Sequence, residues 1–131
     1  MPDKKNYKIL LLDDDRLLLN MYEKKFSAYG HEVLATLSSA EALSKLREGY
    51  NPDILILDVV MPHPDGVEVL KIIREEKLAD SATVVMLTNQ GASQDIEKAK
   101  QYGIDGYIIK AALIPSEVAI EVLKIAESKK R

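Results

Sequence analysis

Short apolar runs alternate along this chain with segments whose apolar residues recur at the spacing of an α-helix, and the alternation occurs five times. The run at Ile54–Val60 has no polar alternation, which is typical of a central parallel strand covered on both faces. The pattern predicts strands at Ile9–Leu12, Glu32–Thr36, Ile54–Val60, Thr83–Leu87 and Gly106–Lys110.

A helix signal follows each of these runs. Ser38-x-x-Glu41 has the spacing of a capping box and opens a second helix that ends near Gly49. The first helix stops at Gly30, a good residue after a helix C-terminus. Its apolar stripe, which recurs at helical spacing, is Leu18, Tyr22, Phe26 and Tyr29. Further helices are predicted from Asp65 to about Glu76, from Ser93 to Tyr102, and from Pro115 onwards.

Five successive strand–helix units with short connections predict right-handed crossovers and helices on both faces of a parallel sheet. The expected fold is an α/β, flavodoxin-like, doubly wound sheet of five parallel strands. The order 2-1-3-4-5 is one of the two common strand orders for such a sheet and is the hypothesis for this chain. At 131 residues, the chain is expected to form one domain over residues 1–131, with a core from about 8 to 128.

Chemically capable residues follow four of the predicted strands. Strands 1, 3, 4 and 5 end at Asp13-Asp14, Asp58, Thr88 and Lys110. The carboxyl ends of parallel strands lie along one edge of a sheet, so these side chains are expected to share a shallow pocket. Taken singly, such an aspartate simply caps a helix and such a lysine is an ordinary surface residue. Their ordered occurrence at four strand ends favours a shared site.

Crowded carboxylates repel one another, and a hard divalent cation relieves that repulsion. Magnesium prefers one or two carboxylates together with waters and a substrate phosphate oxygen. One carboxylate would remain free to attack phosphorus and form an aspartyl phosphate. An ammonium group and a hydroxyl on the opposite rim would position the phosphoryl oxygens and neutralise their charge. The residues therefore favour a site that receives a phosphoryl group.

Composition removes several other classes of function. A net charge of −3 gives no general attraction to nucleic acid or anionic lipid, so no direct nucleic-acid or membrane binding is expected. No apolar run approaches the roughly 20 residues that a membrane span requires. With no cysteine there is no disulfide, thiolate chemistry or cysteine zinc site, and a reducing cytoplasm is the simplest expected location.

An ordered set of motifs resembles the receiver domain of bacterial two-component response regulators, with a chemotaxis-regulator-like pattern. The resemblance extends from about Lys8 to Ser128. The motifs that carry it are Ile9–Asp15, Pro52–Pro62 with Asp65-Gly66, Met86–Thr88 and Tyr107–Lys110.

The resemblance implies that Asp58 is the phosphoacceptor and that a sensor histidine kinase or a phosphotransfer protein supplies the phosphoryl group. It also implies a Mg²⁺ cofactor, with Mn²⁺ as the alternative, bound at Asp58 and at three further positions. Asp14 would bind the ion directly, Asp13 mainly through water, and Val60 through its backbone carbonyl. Such domains catalyse their own phosphorylation and dephosphorylation and are not enzymes acting on a separate substrate.

The same resemblance implies a switch. Thr88 and Lys110 would hold the phosphoryl oxygens, Thr88 would move toward the phosphate, and Tyr107 would turn inward. The surface of helix 4, strand 5 and helix 5 would then control a downstream protein or a self-dimer. Tyr107 could instead be a strand tyrosine with no switching role.

The chain departs from the family pattern at two positions. Ala111 follows Lys110 where the family usually has proline in a cis peptide, so a trans bond is expected here, since a cis bond before a non-proline residue costs about 2.5–4 kcal/mol. Asn89 follows Thr88 where the family commonly has a small residue. It is expected to restrict access to the phosphoryl group and to alter its lifetime.

Two helices carry expectations about the output surface. The fourth helix has a thin apolar stripe of Ala92, Ile96 and Ala99, which predicts weak anchoring and freedom to move. On the last helix, Ile120 lies outside a broad arc formed by Val118, Ala119, Val122, Leu123, Ile125 and Ala126. It is either a contact for a partner or second copy, or an ordinary exposed apolar residue.

Three alternative functions also fit parts of the sequence. A phosphatase of the haloacid dehalogenase type would explain Asp13-x-Asp15, but Leu17 departs from its motif and Asp58 stays unexplained. A flavin-binding module would need a phosphate loop after strand 1, where three aspartates would repel the ligand. A third alternative is a receiver-like domain that binds partners without phosphorylation. His31 and His63 are not spaced as a metal pair, and His63 is expected near the rim of the pocket.

Overall fold

Five parallel strands form a single sheet in the order 2-1-3-4-5, which confirms the predicted topology. The structure is a computed structural model that describes residues 6–62, 64–89 and 93–129. The strands are β1 (Lys8–Leu12), β2 (Glu32–Thr36), β3 (Ile54–Asp58), β4 (Thr83–Thr88) and β5 (Gly106–Ile109). The helices in the described residues are α1 (Arg16–Ala28), α2 (Ser39–Arg47), α3 (Gly66–Glu75), α4 (Ser93–Gln101) and α5 (Pro115–Lys129).

The register of the sheet aligns the carboxyl ends of β1, β3, β4 and β5. Leu12, the last residue of β1, lies opposite Leu57 of β3, so Asp13 follows next to Asp58. Thr88, the last residue of β4, lies opposite Ile109, so Lys110 follows next to Thr88. Four chain segments that are far apart in sequence therefore deliver their chemically capable residues to one edge.

Two apolar layers hold the sheet from either side. Within β1, Leu10 and Leu12 pack with the residues of α2 and α3, whereas Ile9 and Leu11 pack with those of α1 and α5. The apolar residues of β3 are completely buried, as expected for a strand covered on both faces. The edge that carries the site is thus fixed by core packing on both faces.

Helix starts follow the predicted capping chemistry. The Asp65 carboxylate accepts the Glu68 N–H, and the Glu68 carboxylate accepts the Asp65 N–H, which completes a capping box at α3. Ser38 accepts the Glu41 N–H at α2, but the Glu41 carboxylate accepts the N–H of Leu37. Each cap satisfies backbone donors that have no partner inside the helix.

The apolar stripe predicted for α1 packs against the core at three of its four positions and is wrong at Tyr29. Leu19, Tyr22 and Phe26 are buried, whereas Leu18 is only half-buried and Tyr29 is exposed. A period of 3.6 residues does not by itself decide between adjacent positions such as Leu18 and Leu19. Tyr29 is exposed because α1 ends at Ala28, and Gly30 then takes a positive φ of 89°.

The outer helices differ in how firmly they pack. In α4, Ile96 and Ala99 are buried, as expected; Ala92 and likewise His63 lie outside the described residues. In α5, Ile120 is 43% exposed, as its position outside the apolar arc indicates. The arc is fully buried at Val118, Ala119, Val122 and Ala126 and half-buried at Leu123 and Ile125.

Across the described ranges, no helix is both long enough and apolar enough to cross a bilayer.

His31 ties the start of β1 to the turn before β2. The Tyr7 backbone N–H donates to His31 Nδ1 at 3.0 Å, and the two rings lie 5.2 Å apart between centroids. Burial lowers the pKa of the His31 imidazole below its ordinary value. The hydrogen bond requires an unprotonated Nδ1, since a protonated imidazole has no acceptor.

This geometry predicts that the free energy of unfolding decreases as pH falls below about 6.5, the ordinary histidine pKa. In that range the unfolded chain binds a proton that the folded chain resists, so acid favours unfolding. His31→Asn offers Oδ1 as the acceptor and does not titrate. Urea unfolding at pH 7 and pH 5 should therefore show a smaller acid-induced loss in the variant, and parallel losses in both proteins would contradict the prediction.

Candidate functional site

The site contains two carboxylates that are withdrawn from water. Asp13 is 0% exposed and Asp58 is 2% exposed, and both stand where an inner strand ends. Burying a charged carboxylate is costly unless a counter-charge or hydrogen-bond donor accompanies it. Core residues of the neighbouring strands enforce this burial, so the site must supply the compensating charge.

Lys110 supplies that charge to both carboxylates. Its Nζ lies 3.0 Å from Asp13 Oδ2 and 3.2 Å from Asp58 Oδ2, and it donates a hydrogen bond to each. Burial opposes the charge on Lys110, but the bonds and charges of Asp13 and Asp58 outweigh it and raise the pKa of the ammonium group. One cation therefore serves two buried anions.

A single ammonium group leaves Asp58 incompletely compensated. Burial and then the charge of Asp13 raise the pKa of Asp58 to about 7, against the opposing effects of Lys110 and of the Val60 N–H. That N–H donates to Asp58 Oδ1 at 3.2 Å. The electrostatics of the site therefore favour a further positive charge close to Asp58.

Asp14 completes a set of oxygen donors suited to such a charge. One carboxylate oxygen from each of Asp13, Asp14 and Asp58 lies within 4.8 Å of the others. Asp14 is exposed, which leaves room for waters on an ion bound there. Asp13 Oδ1 also accepts the Asp15 N–H at 2.9 Å, which orients its carboxylate. These acidic residues could bind a metal ion, and the all-oxygen set fits a hard divalent cation.

Thr88 and Tyr107 lie at the predicted strand positions, and the contacts that the structure shows for them are with residues other than Asp58. The Thr88 hydroxyl donates to the Asn89 carbonyl at 3.1 Å. Tyr107 is 47% exposed, and the Nζ of Lys100 lies 5.8 Å from the centroid of its ring. The roles of both residues in a switch stay predictions.

The loop after Lys110 forms a single 3₁₀ turn over Lys110–Ala112. Val60 has an exposed side chain, and its backbone N–H contacts Asp58. The role of the Val60 carbonyl as a metal ligand and the geometry of the Lys110–Ala111 peptide stay predictions.

Gly66 has a role that sequence analysis missed. A Cβ built on Gly66 would lie 2.1 Å from the Asp58 carbonyl oxygen and 2.9 Å from the Val59 Cα. The backbone of α3 is thus seated directly against the backbone of Asp58. The signals that could have indicated this contact are the place of Gly66 in the Asp65-Gly66 motif and its position at the very start of a predicted helix.

Comparison with known proteins agrees with this arrangement. The profile of the response regulator receiver domain matches residues 9–118. The alkaline phosphatase synthesis transcriptional regulatory protein PhoP of Bacillus subtilis is 33% identical over 92% of this chain and 48% of its own length. The polar-differentiation response regulator DivK of Brucella ovis is 28% identical over 82% of this chain and 86% of its own. The chemotaxis protein CheY4 of Vibrio cholerae superposes with a TM-score of 0.82 at 25% identity, over 92% of this chain and 99% of that one.

The contact at Gly66 predicts that Gly66→Ala lowers the free energy of unfolding by about 1–3 kcal/mol, because backbone must move to admit the methyl group. Gly106→Ala is the matched control, since its Cβ would lie 2.6 Å from Cδ1 of Ile125, the end of a flexible side chain. Urea unfolding measures both variants. An equal or larger loss in Gly106→Ala would contradict the assignment.

Proposed function

The chain belongs to the receiver domain family of two-component response regulators, and we propose that it is a phosphorylation-switched signalling domain whose phosphoacceptor is Asp58. The observation that carries this proposal is the Lys110 ammonium group, which contacts Asp58 and Asp13 at 3.2 and 3.0 Å. A cation already placed at the acceptor carboxylate can neutralise charge on an arriving phosphoryl group.

The proposed reaction transfers a phosphoryl group from a phosphohistidine of a sensor kinase or phosphotransfer protein. A carboxylate oxygen of Asp58 forms the new P–O bond, the P–N bond to the donor breaks, and the donor imidazole retains the electron pair and takes up a proton. Lys110 and Thr88 hold the phosphoryl oxygens. Bound Mg²⁺ or Mn²⁺ would neutralise phosphoryl charge, held by Asp13, Asp14, Asp58 and the Val60 carbonyl.

The proposed switch starts at Thr88. Its hydroxyl would exchange the Asn89 carbonyl for a phosphoryl oxygen, and Tyr107 would then turn inward from its exposed position. The affected surface contains α4, β5 and α5, where a groove is lined by Tyr107, Ile109, Leu113 and Ile120. This surface would bind a downstream protein or a second copy of the chain.

The phosphatase alternative has less support from the geometry. Its motif needs Asp15 as a second catalytic carboxylate, yet Asp15 Oδ1 accepts the Leu18 N–H and caps α1. We propose instead that the domain catalyses only its own phosphorylation and dephosphorylation.

The chain spans about half the length of the PhoP protein that it matches, so the output of any whole protein stays a proposal. The single-domain organisation over 1–131 and a cytoplasmic location are proposals as well.

Treatment with acetyl phosphate and MgCl₂ should add one phosphoryl group to the chain, as measured by intact mass. Chelation of the metal should abolish the adduct, and Asp14→Asn should require more magnesium to form it. Asp58→Ala should carry no adduct. The control is Asp53→Ala, because Asp53 accepts the Lys8 N–H at the opposite edge of the sheet. An adduct in Asp58→Ala equal to that of the unmodified chain would refute the assignment.

Asn89 provides a separate prediction about phosphoryl lifetime. Asn89 follows Thr88 directly, is exposed, and is expected to obstruct the approach of water to the phosphoryl group. Asn89→Ala should therefore shorten the half-life of the adduct, measured by mass after the excess acetyl phosphate is removed. An unchanged hydrolysis rate would dispose of this role.

A further inference from the structure

We infer that Arg74 anchors the C-terminal end of α4 to α3, so that phosphorylation moves mainly the N-terminal end of α4. The guanidinium Nε donates to the Tyr102 carbonyl at 2.9 Å, and Nη2 donates to the Gly103 carbonyl at 2.7 Å. These two carbonyls follow the last residue of α4 directly. The inference about motion rests on the proposed function, whereas the anchor itself does not.

The chemistry of a helix end explains why this contact is strong. The last carbonyls of a helix have no partner inside it and carry a partial negative charge. A guanidinium group offers two donors in a fixed fork, and its charge strengthens both hydrogen bonds. Arg74 thus satisfies backbone acceptors immediately after α4 and complements the charge at that end.

The rest of α4 gives the anchor its importance. Ile96 and Ala99 are the buried apolar side chains among those described in α4. The ion pair of Lys100 with Glu97, at 3.2 Å, joins two residues of α4 itself and so does not attach the helix to another element. In contrast, α3 buries five of its ten residues and starts at a capping box, so it is a firm support.

The two ends of α4 therefore have different attachments. Thr88, at the end of β4, precedes Ser93 by only a few residues, so movement of Thr88 is transmitted first to the N-terminal end of α4. The other end is held by Arg74. Lys100, close to the held end, lies over the ring of Tyr107, so the anchor also fixes α4 beside that side chain.

Hydrogen exchange of the whole chain, followed by mass spectrometry, tests the anchor. In Arg74→Ala without phosphorylation, amides of residues 99–104 should exchange about tenfold faster or more, which matches the loss of a hydrogen bond to a charged group. Arg47→Ala is the matched control, because Arg47 makes a similar forked contact with Glu76 and lies on α2. That control should leave α4 exchange unchanged.

Phosphorylation with acetyl phosphate and magnesium tests the pivot, that is, whether α4 moves at its N-terminal end while its C-terminal end stays in place. In the chain without substitutions, phosphorylation should change the amide exchange rates of residues 93–97 and leave those of residues 99–104 unchanged. In Arg74→Ala the change should extend through both ranges. Arg74→Lys, which keeps the charge but not the fork, should give an intermediate result and serves as the test if Arg74→Ala does not fold.

Two results would overturn the inference: unchanged exchange of residues 99–104 in unphosphorylated Arg74→Ala, or a phosphorylation-dependent change across all of α4 in the unmodified chain. Intact mass on the same samples separates the two proposals. A missing adduct in the unmodified chain would remove the proposed function and with it the pivot, while the comparison without phosphorylation still decides the anchor.

Discussion

This site depends on the pair of salt bridges that the Lys110 ammonium group makes with Asp13 and Asp58. Without it, Asp13 and Asp58 would be two buried anions held together by the sheet with no counter-charge between them. The core makes this arrangement unavoidable, because the strands that carry the carboxylates are packed on both faces. The Lys110 ammonium group therefore both compensates the buried carboxylates in the fold and sets the charge at the reactive site. It neutralises Asp58 only in part, so a further positive charge close to Asp58 is favoured.

Much of this arrangement could be predicted from the sequence. The uninterrupted apolar run before Asp58 identifies a central strand, and rules of chain connection then bring Asp13, Thr88 and Lys110 to the same edge. Capping residues such as Asp65 also signal their helices locally. These features were predictable because each depends on neighbouring residues or on a general rule of topology.

Other features depend on distances between remote segments, and no local pattern encodes them. The spacing in α1 could not choose between Leu18 and Leu19, since both fit one helical period within its tolerance. The seat of Gly66 on the Asp58 carbonyl depends on how closely α3 approaches β3. The reach of Arg74 to Tyr102 joins residues that are separated by 28 positions. A surface arginine on a helix gives no sign of such a partner.

The seat of α3 has a practical consequence for spectroscopy. Because no side chain separates the backbone of Gly66 from that of Asp58, α3 is coupled rigidly to the sheet and can serve as a stationary reference. The chain contains no cysteine, so a pair of introduced thiols would be the sole attachment points for thiol-reactive dyes. One dye on the outer face of α3 and one on α4 would report distances within a single molecule, free of ambiguity about which helix had shifted.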